Sequence, residues 1–264
     1  MVSRIILCLL LIAGAGLLPG AGPAESQTVM DYSAYDALLR EYVNPRGLVD
    51  YERLCADPAL GSVTEQLSRA DPDRLDRGEA LAFWINVYNA FTLKVICDNY
   101  PLESINDLHG GGLILGTVFK TTIWDKKWFA INGEKMSLGH VEHKILRPRF
   151  EDPRIHFAIV CAARSCPPLR AEAYIAGRIE GQLDDQGRIF LSRPELNRFD
   201  LKSQTAHLSG IFKWFLKDFG KNKKDLLTYL AAFTPAPEVR DLLENQPGAW
   251  TVRWNDYDWS LNRQ

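Results

Sequence analysis

The sequence predicts an α+β fold, with a mostly antiparallel sheet packed against helices around a buried central helix. Three observations lead there. Residues 79–97 (EALAFWINVYNAFTLKVIC) are apolar around almost the whole circumference of a helix, a pattern that suits only a helix enclosed by protein. Runs with strand character, at 117–124 and 127–131, are followed by Asn132-Gly133, a hairpin-type turn. The remaining strand candidates are separated by helices of unequal length, which fits an α+β domain. With 46% of its 264 residues hydrophobic, the chain can fill a substantial core.

Taken in order, residues 1–24 read as an export signal. Arg4 supplies the positive start, 5–18 is apolar but short for a membrane span, and Ala21-Gly22-Pro23-Ala24 offers small residues for cleavage before Glu25. Cys8 lacks the small-residue context of a lipidation site and is expected to leave with the leader; an uncleaved anchor is the alternative. No membrane span is expected after removal of the signal, and the product is expected in the periplasm or outside the cell. Residues 32–42 form a helix turned by Asn44-Pro45-Arg46-Gly47, and 48–51 is briefly extended. Asn99-Tyr100-Pro101 ends the central helix, and Gly110-Gly111-Gly112 forms a loop.

Residues 137–146 read as a helix capped by Ser137 and stopped by Pro148. Residues 154–161 read as a buried strand, 169–192 as helix and 198–208 as extended chain. Helices follow at 211–219 and 225–233, and an aromatic-rich strand at 250–259 closes the chain. With no repeat, low-complexity tract or linker in sight, residues 25–264 are expected to form one domain.

The formal net charge of −2, or −3 once the leader has taken Arg4 with it, argues against a nucleic-acid partner, which needs clustered Lys and Arg. The basic run at 217–224 is interrupted by Asp218 and Gly220 and reads as a solvated loop between helices.

Chemistry concentrates in residues 155–169, IHFAIVCAARSCPPL. On a regular strand, Cys161 shares a face with Ile155, Phe157 and Ile159, while His156 faces the other way. Cys161 can be a nucleophile aimed into a cleft, half of a disulfide, or plain packing. Cys166 precedes Pro167-Pro168; at the start of a helix, with Arg164 and Arg170 near, its thiol would be acidified. Equally, it can close a small loop onto Cys161. Four cysteines (Cys55, Cys97, Cys161, Cys166) remain after the leader, and spacing does not choose among their three pairings.

A thiol nucleophile needs a base and an orienting partner. His140 and His143, three apart, share one helical face, and Glu142 beside His143 points about 100° away. Asn86 and Asn89, three apart on the apolar central helix, either fasten a neighbouring loop or line a polar pocket as orienting or oxyanion-binding amides. His140, His143 and a thiol match no zinc spacing, and neither a phosphate loop nor a G-x-S-x-G elbow is present, so no metal or cofactor is expected.

Five ordered motifs resemble one family. AFWINVYNAFTL (82–93), SLGHVEHKILR (137–147), DPRIHFAIVCAARSCPPL (152–169), LSGIFKWFLKDF (208–219) and YDWSLN (257–262) together are similar to DUF547, a domain family without an assigned function. The resemblance runs from about Leu75 to Asn262. It implies Asn86, Asn89, Glu142, His143, His156 and Cys161 as site residues and gives Cys166 an accessory or disulfide role. Because plant members are thought to be intracellular, it also implies a site that does not require a disulfide.

The resulting expectation is an exported cysteine-dependent hydrolase or acyl-transfer enzyme. Cys161 would be nucleophile and His143 base, with His156, Glu142 or an asparagine orienting the base or binding the oxyanion. The alternative is a non-catalytic binding or scaffold module of the cell envelope, docking a partner through Trp250, Trp254, Tyr257 and Trp259. A redox pair of Cys161 and Cys166 is a third reading.

Overall fold

The computed structural model describes residues 30–109 and 122–264. The expected export signal, the glycine loop at 110–112 and most of the strand expected at 117–124 lie outside them; Thr122, Ile123 and Trp124, at that strand's described end, sit in a bend and turn.

The central helix spans Arg77–Cys97. Asp76 opens it: its carboxylate accepts from the Glu79 N–H, and the Glu79 carboxylate accepts from the Asp76 N–H. This reciprocal cap satisfies two amides that the first helical turn leaves without partners. Every side chain from Glu79 to Leu93 is buried. By length and composition alone this helix could cross a membrane, but 89% of its most apolar stretch is buried in the protein, which makes it a core helix. Helix Ala59–Arg69 packs beside it and Ser33–Tyr42 packs against Ala59–Arg69, while a Cys55–Cys97 disulfide ties helix Tyr51–Ala56 to its last residue.

Helices dominate and the strands are short. β1 (Phe129–Ile131) and β2 (Glu134–Met136) form an antiparallel hairpin whose turn residues Asn132 and Gly133 both have left-handed φ, as a two-residue hairpin turn requires. A second sheet pairs β3 (Arg198–Asp200) antiparallel with β4 (Thr205–Leu208), and β4 runs parallel to β5 (Thr251–Trp254). The α+β class and the buried helix are as the sequence predicts; the sheet is two small pieces, one with a parallel pair.

Several local expectations need correction. Residues 155–158 are one turn of α-helix, not strand, and 159–161 is irregular chain that starts extended at Ile159. Asp152-Pro153 leads into the turn, and a short apolar run does not reveal its own periodicity. Pro148 does not stop the helix before it. After Leu138–His140 the chain widens into a π-helical turn, Val141–Leu146, in which the Arg147 N–H donates to the Glu142 carbonyl five residues back. A new helical turn then starts at Arg147, with Pro148 in its first turn. Residues 169–175 are not helical, and the α-helix there begins at Ile179. The closing strand stops at Trp254, and helices Ala59–Arg69 and Pro237–Asn245 were not foreseen.

The buried apolar side chains form two clusters, one around the central helix and one around Phe157, Phe190 and Phe212 under β4 and β5. Ile155 and Ala158 belong to the first and Phe157 to the second, so the turn carrying His156 sits where they meet.

Candidate functional site

At this junction a cleft of about 410 Å³ opens. The central helix contributes Tyr88 to its wall, the π turn Glu142 and His143, the Ile155–Ala158 turn His156, and the chain after it Cys161. Trp214 and Phe215 enter from the Gly210–Trp214 helix and its end, and Tyr257 and Trp259 from the C-terminal segment.

Local backbone chemistry aims these groups. Asn89 donates to the Ala158 carbonyl at 2.9 Å and accepts from the Val160 N–H at 2.9 Å, holding the two residues that lead to Cys161. Ala162 then adopts φ 59°, a left-handed conformation costing an L-residue about 1–2 kcal/mol, and turns the chain so that Cys166 returns to Cys161. The C-terminal segment pins this loop: the Arg164 and Ser165 N–H groups donate to the Ser260 and Asp258 carbonyls, and the Asp258 N–H to Ser165 Oγ. Gly139 brings Trp124 to the opposite wall. Its N–H donates to the Trp124 carbonyl at 2.8 Å, and a Cβ there would meet that same oxygen at 2.8 Å.

Cys161 and Cys166 are joined in a disulfide. The Cys161 N–H lies 3.0 Å from Cys166 Sγ, and the Tyr257 hydroxyl lies 3.2 Å from each sulfur. Cys166 is buried, whereas Cys161 is half-buried on the cleft wall. Among the described residues the side chain bonded to these sulfurs is a phenol rather than an imidazole.

Glu142 is the unusual ionisable group. It is buried, its one side-chain hydrogen bond among the described residues is a long contact from the Tyr88 hydroxyl at 3.5 Å, and His143 Nδ1 stands 3.9 Å away. Burial pushes its pKa to about 7, against the opposing pull of Arg147 and Tyr88. His143 is held below the usual imidazole range by burial and by the neighbouring Arg147 and His156. Burial also lowers His156, outweighing Asp218, whose carboxylate is 2.7 Å from His156 Nε2.

Asp218 also takes a two-pronged ion pair from Arg147, at 2.6 and 2.8 Å. Burial opposes its ionisation, but the hydrogen bonds from His156 and Arg147 prevail and hold it well below the usual carboxylate range. Phe215 stacks on His156 at 4.0 Å, with the Arg147 guanidinium 5.0 Å from its ring centroid. Replacing Asp218 with Asn is expected to cost about 1–2 kcal/mol, between an exposed and a fully buried pair. It should also lower the His156 pKa further, which an NMR titration of the ring would show.

Residues 72–191 match the model of a family described as "Protein of unknown function, DUF547". Over that segment the chain matches DUF547. No curated protein and no solved structure matches it. The matched segment supplies Tyr88, Glu142, His143, His156 and both cysteines of the cleft; Asp218, Trp214, Tyr257 and Trp259 lie beyond its end.

The cleft thus gathers Cys161, Cys166, Glu142, His143 and His156, all named from sequence. The expected separation of His156 from Cys161 fails because the helical turn brings His156 round to the same cleft. Asn86 and Asn89 are not on its wall. Asn86 binds the Tyr174 N–H and carbonyl as Asn89 binds residues 158 and 160, so both amides fasten backbone rather than face a substrate. Cys166 is not at a helix start, because Asn86 and Gln182 hold residues 173–175 out of helix by binding their backbone groups.

The aromatic docking surface expected near the C-terminus divides. Trp250 is buried in the second cluster, while Tyr257 and Trp259 line the cleft. Sequence reasoning missed Tyr88, Arg147, Tyr257 as a sulfur partner, and Asp218, which is part of a partly buried ion pair rather than a solvated loop. The available signal for Asp218 was an acid within the otherwise apolar and basic IFKWFLKDF.

Proposed function

We propose that the protein is an exported enzyme performing cysteine-dependent hydrolysis or acyl transfer in this cleft. One observation carries the reading: Cys161 and the pair Glu142–His143, from separate segments, open into a single cavity. The leader-like first 24 residues and two disulfides support export, since disulfides persist in oxidising compartments.

An external thiol would first reduce the Cys161–Cys166 bond. The Cys161 thiolate then attacks an acyl carbon to give a thioester, and the leaving group takes a proton from Glu142 or His143. Water, or an acceptor nucleophile, attacks the thioester while the same carboxylate or imidazole removes its proton, releasing product and the Cys161 thiolate. A carboxyl titrating near 7 suits both the donating and the accepting step.

The test is a pH series of iodoacetamide labelling, read by peptide mass spectrometry before and after reduction. Turnover of an ester, thioester and amide panel is followed in parallel. After reduction, Cys161 should alkylate with an apparent pKa well below about 8.5, and Cys161→Ala should be folded and inactive. Full turnover by that variant, or an inert Cys161 after reduction, would remove the reading.

The bonded cysteine pair favours one second reading, thiol–disulfide exchange. A substrate thiolate would attack Cys161 Sγ and expel Cys166 as thiolate, received by the Cys161 N–H and the Tyr257 hydroxyl. A second substrate thiolate would then displace Cys161, leaving substrate disulfide and a reduced pair. Cys166→Ser separates the two: it should keep acyl transfer and abolish exchange.

A further inference from the structure

The thiol chemistry leaves the cleft's aromatic wall unexplained. Trp214 is one of two large apolar side chains exposed among the described residues, at 49%. Its ring stacks with Trp259 at 5.8 Å, and Tyr257 packs 4.7 Å from Trp214 and 4.6 Å from Trp259. Trp124 and Phe215 extend the aromatic lining.

Among the described residues, the ionisable side chains that line this wall are carboxyls and imidazoles. Glu142 and Asp125 are the carboxyls of the lining, and among the described residues no Lys or Arg lines it. Its imidazoles, His109, His143 and His156, are all biased by burial toward the neutral form. Arg147, beside the cleft, has its guanidinium on Asp218. Glu142 itself is a buried carboxyl on the cleft wall whose one side-chain hydrogen bond among the described residues is the 3.5 Å contact from Tyr88. A buried carboxyl so poorly partnered is costly unless a donor or cation completes it.

We propose that the cleft binds a small organic cation, a quaternary or protonated amine, with its charge answered by Glu142 and its carbon substituents against the aromatic wall. Tryptophan and tyrosine faces attract such cations through the ring quadrupole, and do so best when water is excluded. The volume suits a small molecule rather than a polymer. This inference does not depend on the thiol reaction, because binding is measured without turnover and either can fail alone.

Binding carries a pH signature. Among the described residues, the charged or titratable groups around Glu142 are Tyr88 on the central helix, His143 and Arg147 on its own segment, Asp218 on the facing helix and Tyr257 on the C-terminal segment. With Glu142 titrating at about 7, cation affinity rises as pH passes through neutrality.

The test titrates the wild-type protein with choline and with its neutral isostere 3,3-dimethylbutan-1-ol, by calorimetry and tryptophan fluorescence. Choline should bind about tenfold more tightly than the isostere. It should bind more tightly at about pH 8 than at about pH 6. Trp214→Ala, at an exposed site that leaves the core intact, should weaken choline about fivefold, and Glu142→Gln should remove the pH dependence. Equal affinity for the isostere, tighter binding of acetate than of choline, or no saturable binding of choline or tetramethylammonium would each overturn the proposal.

Discussion

Replacing Asn89 with alanine is expected to cost the fold about 3 kcal/mol and to loosen the candidate site with it. The amide joins the central helix to the chain entering the cysteine loop, donating to the Ala158 carbonyl and accepting from the Val160 N–H, both at 2.9 Å. Residues 158 and 160 are buried, at 1% and 3% exposure, so water cannot replace the lost partners. Each orphaned backbone group costs on the order of 1–3 kcal/mol, more than the net worth of the bond it had made. Asn245→Ala is the control, because Asn245 sits on the surface and donates to its helical neighbour Asp241. That change should stay within about 0.5 kcal/mol. Urea unfolding measures both, and faster iodoacetamide labelling of reduced Cys161 in Asn89→Ala than in wild type reports the loosened loop. A change below about 1 kcal/mol would mean that the amide is dispensable to the fold.

Asn89 also shows why the sequence is legible only in part. An amide on an apolar helix announces that it has a partner, but this partner lies 69 residues away and no local pattern identifies it. The central helix was legible because ten or more apolar positions agree, and the β1–β2 hairpin because Asn-Gly has few other uses. Ser137 was legible as a cap, since its hydroxyl accepts from the His140 N–H three residues on. The π turn was not, because one extra residue in a helical turn barely disturbs the hydrophobic spacing.

The run at 155–161 was misread because burial on all sides erases the difference between helix and strand. Its candidate residues nevertheless come together, since Cys161, His156, Glu142 and His143 line one cleft. Asp218 was missed for the same reason as the amide's partner: Arg147 is 71 residues away, and a charge looks solvated until its counter-ion is known.

Glu142→Gln is expected to raise stability by about 3 kcal/mol at about pH 8 and to change it little at about pH 5. The folded-state pKa is raised from the ordinary 4.5 to about 7. Between those values the folded protein keeps a proton that the unfolded chain has released, so stability falls as pH rises through that window and is flat above it. Glutamine has the shape of the protonated acid and no charge to desolvate, so the variant lacks this slope. Asp218 works in the opposite sense: its pKa is lowered, and its contribution is present above the ordinary 3.8 and lost as pH falls toward its folded value. The two acids therefore act on different arms of the stability profile, and urea unfolding across pH separates them. A more stable Glu142→Gln protein that no longer binds cations would show that the carboxyl is kept at the expense of the fold because the cleft uses it. An unchanged profile would mean that Glu142 ionises as a solvated acid does, and both the proton-transfer role and the cation site would lose their central group.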